Sequence, residues 1–237
     1  MEPLYVRVAD KLEAKISRAP VGSELPSEHE LARSHNISRL TARASLEELE
    51  RRYLVRRAHG KRRCVVHRID YVIGPSRSPS WSEGVALAGA VPHSETERIR
   101  LRVPPAAVRS ALQLDAGTEA LFLSRLRYVN GQLAACADTW LIAEFVPLLS
   151  ERMAPDASLH ATLRDVYHLA PRRDWARAQT AFATPVVAKR LGLRGRPLVS
   201  CLTGVTFSRK LNRPLEFTTS WLRTDVFNIV FEMGTPP

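Results

Sequence analysis

Cysteine is scarce in this chain. Cys64, Cys136 and Cys201 are the only three among 237 residues, far apart and without a CxxC pair. An odd, scattered set excludes a disulfide framework and a thiolate metal site, and it fits reduced thiols in a cytoplasmic protein. Long apolar runs are absent as well. The longest uncharged one, residues 198–208, falls well short of the roughly 20 residues that a membrane-spanning helix needs. Met1 leads into a polar, amphipathic stretch, so no signal peptide is expected. The spellings of common catalysts are missing too: no GxSxG, HExxH or GxGxxG, and no phosphate loop ending in Gly-Lys-Ser/Thr. An enzyme is therefore not expected. Seven histidines, at 29, 35, 59, 67, 93, 160 and 168, show no metal-ligand spacing. No cofactor, metal or catalytic residue is anticipated.

Acids are the last shortage. Residues 51–68 contain none, in a stretch dense with arginine. The opposite sign is abundant: 35 Lys+Arg stand against 24 Asp+Glu, for a formal net charge of +11 and a pI near 10.3. Such a balance favours a polyanionic partner such as nucleic acid. The excess divides almost evenly between residues 1–70 and the remainder, so charge alone does not locate the binding surface. The length allows one or two domains with full cores.

Residues 23–43 are the most informative. Pro26 followed by Ser27 and Glu30 spells a capping box, which starts a helix with two of its orphan amides satisfied. That helix is expected to stop near Asn36, a residue that tolerates the left-handed conformation of a sharp turn. Ser38 caps a second helix whose buried stripe is Ala42, Leu46, Leu49 and Tyr53. Arg39, Leu40 and Arg43 project from another side. A short helix, a tight turn and a helix with basic residues near its start is the geometry that enters a DNA major groove.

The spelling is specific too. Leu25-Pro26-Ser27-Glu28, Leu31-Ala32, Ile37-Ser38-Arg39, Thr41, Arg43-Ala44, Leu49 and His59-Gly60 resemble the winged helix-turn-helix of GntR-family bacterial transcription regulators, over residues 3–67. The resemblance implies that Ser38, Arg39, Thr41, Arg43 and Gly60 touch DNA. His29 stands where the family often has Arg, Leu40 where it has a second small polar residue, and Arg62 where it usually has a second glycine. The wing is read as strands 53–57 and 63–67 around Ala58-His59-Gly60-Lys61-Arg62, able to lie on the backbone or reach into a minor groove. The candidate DNA surface is thus His29, Ser38, Arg39, Leu40, Thr41, Arg43, His59, Gly60, Lys61 and Arg62. For the arginines around the wing, a merely solvated face competes with this reading.

Gly-Pro-Ser-Arg-Ser-Pro-Ser at 74–80 is linker chemistry, placing a boundary at 68–80 between a DNA-binding domain (1–67) and a second domain (81–237). The second domain contains an echo. Short helices at 106–114 and 186–193 each lead into a strand, 120–128 and 198–207, then a reversal at Asn130-Gly131 or Asn212-Arg213-Pro214. A return strand follows, ending in Thr139-Trp140-Leu141 or Ser220-Trp221-Leu222. Asn-Gly between alternating runs is a strong hairpin signal. Two such units imply an α+β fold, an antiparallel sheet with helices.

Arg125-Leu126-Arg127, Asn130-Gly131, Ser158-Leu159-His160, Pro214-Leu215-Glu216-Phe217 and Arg223-Thr224-Asp225 resemble the UTRA effector-binding module of HutC-type GntR regulators, whose fold is similar to that of a chorismate lyase. Asp138, the Ser158-Leu159-His160 opening, and Arg172-Arg173 followed by Arg177 resemble the phosphonate-utilisation regulators within that group. From the residues themselves, Arg125 and Arg127 are two apart on a strand and share a face. Arg173 and Arg177 are read as flanking Trp175 on one face of a strand at 172–182. Guanidinium forks bind phosphonate, phosphate or carboxylate bidentately, and Ser158 adds a hydroxyl at a helix start. The candidate effector set is Arg125, Arg127, Asp138, Ser158, Arg173, Arg177 and Glu216; pairing of these arginines with acids on a wet sheet face is the competing reading. Leu222 stands where sugar-phosphate-binding relatives tend to have tyrosine. The expected partners are palindromic double-stranded DNA, a small anion and a second copy of the chain. The alternatives are a HutC-type regulator of another metabolite and, more remotely, a small-molecule-binding enzyme with a docking domain.

Overall fold

The computed structural model describes residues 2–17, 19–20, 22–57 and 62–233. His59, Gly60 and Lys61, the candidate wing tip, lie outside them. The chain divides into two compact units, residues 1–68 and 69–237.

The first unit is built on three helices, α1 (Leu4–Ile16), α2 (Glu28–His35) and α3 (Arg39–Arg51), and a short hairpin, β1 (Val55–Arg57) with β2 (Arg63–Val65). The capping box forms as spelled: Ser27 Oγ accepts from the Glu30 amide at 3.2 Å, and the Ser27 amide donates to Glu30 Oε2 at 2.7 Å. Asn36 ends α2 at φ 49°, and Ser38 Oγ accepts from the Thr41 amide at 3.0 Å to start α3. Val8, Leu12, Leu25, Leu31, Ala42, Leu46, Leu49, Val55 and Val65 close one core. Tyr53 is not in it. The α-helix stops at Arg51, Tyr53 adopts φ 58° and only half-buries its ring, beneath the Arg68 guanidinium. The stripe takes Ser45 instead, fully buried because its hydroxyl donates to the Thr41 carbonyl one turn back. Arg52 ties α3 to α1 through Asp10 (2.6 Å) and Glu13 (2.7 Å).

The second unit begins earlier than its composition suggested. Residues 69–73, read as part of the linker, form strand β3 (Ile69–Ile73), parallel to the last strand, β10 (Phe227–Phe231). Tyr71 and Ile73 are buried there, so the run is held by its apolar alternation and its ladder. Only 74–80 remains a connecting segment, leading to α4 (Trp81–Leu87). The body is a six-stranded antiparallel sheet. Its first half runs β4 (Pro92–Arg102), α5 (Ala106–Leu112), β5 (Ala120–Val129), β6 (Gln132–Leu141). Two short helices, α6 (Leu149–Arg152) and α7 (Leu159–Asp165), intervene. The second half runs β7 (Pro171–Phe182), α8 (Pro185–Arg190), β8 (Leu198–Ser208), β9 (Arg213–Arg223). The order β4-β5-β6-β9-β8-β7 joins the halves at β6 and β9, which is the echo seen in the sequence. Asn130 (φ 50°) and Gly131 (φ 75°) make the first reversal, the left-handed pair that a two-residue hairpin requires.

The two sheet faces carry different cargo. On one, α5 covers Phe122 and Trp140, and α8 covers Cys136 and Val199. On the other, α6 and α7 cover Leu123, Leu141 and Leu215, while Trp81, Tyr71 and Phe227 cover Ala135, Leu202 and Leu222. Arg125 and Arg127 belong to this second face, following Leu123.

Candidate DNA interface and effector site

In the first unit, Ser38 sits at the start of α3 with Thr41 Oγ1 2.8 Å from its hydroxyl. Arg39, Leu40 and Arg43 stand out from the first turns, with Leu40 79% exposed. Nothing apolar holds that leucine in the free chain. Arg43 Nε donates to Glu47 at 2.9 Å and Arg39 Nε lies 3.8 Å from Glu28. Both pairs are solvent-exposed, so they contribute at most about 1 kcal/mol and are readily exchanged for a phosphate or base edge. His29 receives a hydrogen bond from Arg33 at 3.3 Å and, with Arg39, Arg57, Arg62 and Arg63, lines a cleft between α2 and the hairpin. Arg62 donates to Glu30 at 3.0 Å. Arg63 is buried, with Nε 3.1 Å from Glu50. Arg57 and Arg63 joined this surface without a distinguishing signal, since sequence alone does not separate them from their arginine neighbours. Here the fold defines a DNA-reading head: a recognition helix with polar and weakly paired basic groups at its start, beside a basic hairpin.

The second unit holds a small, partly open cavity of about 30 Å³ against the sheet, lined by Arg127, His160, Arg173, Glu216, Thr218, Ser220 and Tyr71 among others. Arg127 donates to Ser220 Oγ at 3.2 Å, and its guanidinium lies 5.1 Å from the Trp81 ring centre. Arg173 reaches the Pro79 carbonyl at 3.4 Å. Glu216 takes Thr218's hydroxyl on one oxygen and lies 2.9 Å from His160 Nε2 through the other. Burial alone would raise this carboxyl; the His160 charge and the hydrogen bonds from His160 and Thr218 outweigh it and hold it near 2. For the arginines burial works the other way. It pushes Arg127 below its ordinary value, and together with the Arg127 charge it brings Arg125 down to about 10. On the lining, the Nε atoms of Arg127 and Arg173 are buried without a protein hydrogen-bond partner, and His160 Nε2 and the acceptor Glu216 Oε2 have only their 2.9 Å contact with each other. Trp81 Nε1 and Arg125 Nε are likewise unpartnered, outside the lining. A positive charge made costly by burial and left with unused donors is stabilised by an incoming anion.

The predicted effector residues divide. Arg127, Arg173 and Glu216 line the cavity. Arg125 is buried on the same face but stands outside the lining, giving Nη2 to the Ala157 carbonyl at 2.6 Å. Ser158 caps α7, accepting from the Ala161 amide, with Ser80 Oγ 3.4 Å away. Asp138 lies on the opposite face, because it pairs in register with Ser124 and not with Arg125. There it binds Arg190 at 3.0 Å, alongside Glu97. Arg177 is also misplaced by the expectation. A β-bulge between Arg173 and Trp175 reverses the alternation, so Trp175 meets Phe217 on the far face and Arg177 follows it, exposed. Thr218, Ser220 and Tyr71 were missed. Thr218 and Ser220 share alternation with Glu216, a signal that was available; Tyr71 was hidden by the linker reading.

Together these units define a class: a DNA-binding head joined to a small-molecule-binding module. The chain matches two family models, "Bacterial regulatory proteins, gntR family" over residues 4–65 and "UTRA domain" over residues 87–228, and it belongs to the GntR-type transcriptional regulators that carry a UTRA domain. It is similar to the HTH-type transcriptional regulator GgaR of Escherichia coli strain K12, 25% identical over 232 residues, covering 97% of this chain and 91% of that one. It is also similar to the probable transcriptional regulator PhnF of the same strain, 26% identical over 230 residues, covering 96% and 94%. Among solved structures, PhnF from Mycobacterium smegmatis superposes with a TM-score of 0.66 at 24% identity, over 97% of this chain and 100% of that one. The two Escherichia coli relatives are named as transcriptional regulators, and the solved structure shares the α+β arrangement described above.

Proposed function

We propose that this chain is a HutC-type repressor that binds a palindromic operator as a homodimer and releases it when a small phosphonate- or phosphate-type anion occupies the second unit. The observation that carries the anion is the pair of buried guanidinium groups on the cavity wall, Arg127 and Arg173, whose Nε donors have no protein partner. Glu216 is the acid on the cavity wall, and it is already engaged by His160 and Thr218. Leu222, buried in the apolar cluster, offers no hydroxyl to a sugar and weighs against sugar phosphates.

Repression by release requires that the anion prefer an arrangement of the two reading heads that no longer fits the half-sites. Calorimetry with phosphate, alkylphosphonates and sugar phosphates, on wild type and Arg127→Ala, tests the site. Binding of an oxyanion that is lost in the variant is expected. Failure of every anion to bind, or equal binding by the variant, contradicts it. A neutral or cationic ligand would instead favour the regulator of a different metabolite, and leave the DNA-reading head as it stands.

A further inference from the structure

The cavity at Arg127 and Arg173 is small for a complete effector. At about 30 Å³ it holds only two or three water-sized groups, since one needs roughly 10–15 Å³. A second cavity of about 290 Å³ adjoins it, sharing Pro79 and His160 as a common wall. Its lining includes Arg77, Arg164, Arg172 and Arg209 and contains no acid. Two of these arginines are already neutralised. Arg77 grips Glu232 with contacts of 3.0 and 2.5 Å, and Arg164 binds Glu83 at 3.0 Å and Asp165 at 2.9 Å. Arg172 and Arg209 have no acidic partner among the described residues.

We propose that the effector carries two anionic groups: one seated against Arg127 and Arg173 in the inner cavity, and a second reaching past His160 to Arg172 and Arg209 in the outer one. The inference rests on the anion reading of the inner cavity and narrows it. The inner space admits little beyond a single oxyanion, so the remainder of the ligand extends outward. There it meets guanidinium groups with free donors, which select a second phosphonate, phosphate or carboxylate. An apolar or cationic tail would leave those charges to solvent and gain nothing from them.

Calorimetry on the full-length protein at constant ionic strength tests this with methylphosphonate as the one-anion probe and propane-1,3-bisphosphonate and 3-phosphonopropionate as two-anion probes. The two-anion probes are expected to bind at least about tenfold more tightly than methylphosphonate, the gain of added charge-assisted hydrogen bonds. The double variant Arg172→Ala/Arg209→Ala is expected to lose that gain and to bind methylphosphonate as wild type does. Both residues are exposed, so the fold should tolerate the change, and circular dichroism checks it. Methylphosphonate binding without a gain for either longer probe overturns this inference alone. So does a double variant that weakens all three probes alike or none. Failure of all three probes to bind wild type overturns the anion reading along with it.

Discussion

His160 Nε2 lies 2.9 Å from Glu216 Oε2, with both side chains buried against the sheet. The pair has a pH consequence. Glu216 is held near 2 in the folded chain, below the roughly 4.3 of an unfolded glutamate. A depressed carboxyl contributes stability that is complete above the unfolded value and is lost as pH falls through the folded one. The second unit should therefore weaken between about pH 4.5 and 2. Glu216→Gln should flatten that dependence and cost about 1–3 kcal/mol at neutral pH by disturbing a buried carboxylate that contacts His160 and takes Thr218's hydroxyl. Urea unfolding at pH 7 and pH 3.5 reads both effects; an unchanged acid slope in the variant would count against the assignment.

Arg39→Ala or Arg43→Ala should abolish specific operator binding and leave folding intact. The two side chains lie one turn apart at the exposed start of α3, and a lost bidentate base contact costs about 1–3 kcal/mol. In a symmetric dimer the loss counts twice. Gel-shift titration against a palindromic site checks it, and wild-type shifts from both variants would remove α3 as the reading element.

Arg52→Ala should destabilise the first unit by about 1.5–3 kcal/mol, because one guanidinium joins Asp10 and Glu13 of α1 to Glu48 of α3. The second unit should unfold as before. Calorimetric scans that resolve two transitions would show the earlier shift alone; movement of both, or neither, would contradict the clamp.

A recognition helix reads only a few base pairs, and the proposed homodimer would gain affinity by setting two copies on a palindrome, held together through the second unit. Residues 69–237 should therefore sediment as a dimer at micromolar concentration. Truncation at 81 should behave worse, since it removes β3, the parallel partner of β10. A monomer from residues 69–237 would place the dimer contacts elsewhere.

The reading head was legible because its signals are local. Ser27, Glu30, Asn36 and Ser38 each act on backbone within four residues, so their spelling and their geometry coincide. The repeated hairpins were legible for the same reason, through Asn130-Gly131 and the alternation on either side. Nonlocal facts were hidden. Which face Arg177 takes depends on a bulge opposite Thr206 and Val205, and the placing of Asp138 opposite Ser124, away from Arg125, depends on the register between β5 and β6. Strand β3 exists because β10, more than 150 positions later, lies beside it. β4 is poorly signalled because the first part of its sequence, PHSETER, holds no apolar alternation and the strand is mostly exposed; only Ile99 and Leu101 alternate with arginines.

The central claim is that an anion in the second unit controls the hold of the first on DNA. The most direct measurement is an operator-binding isotherm by fluorescence anisotropy, with and without a saturating phosphonate and with chloride added to match ionic strength. Matching matters because salt alone weakens phosphate contacts. The account predicts at least about a tenfold loss of operator affinity in wild type, a coupling of about 1.4 kcal/mol, and no loss in Arg127→Ala. Superimposable isotherms with and without every anion that binds the wild-type protein would contradict it.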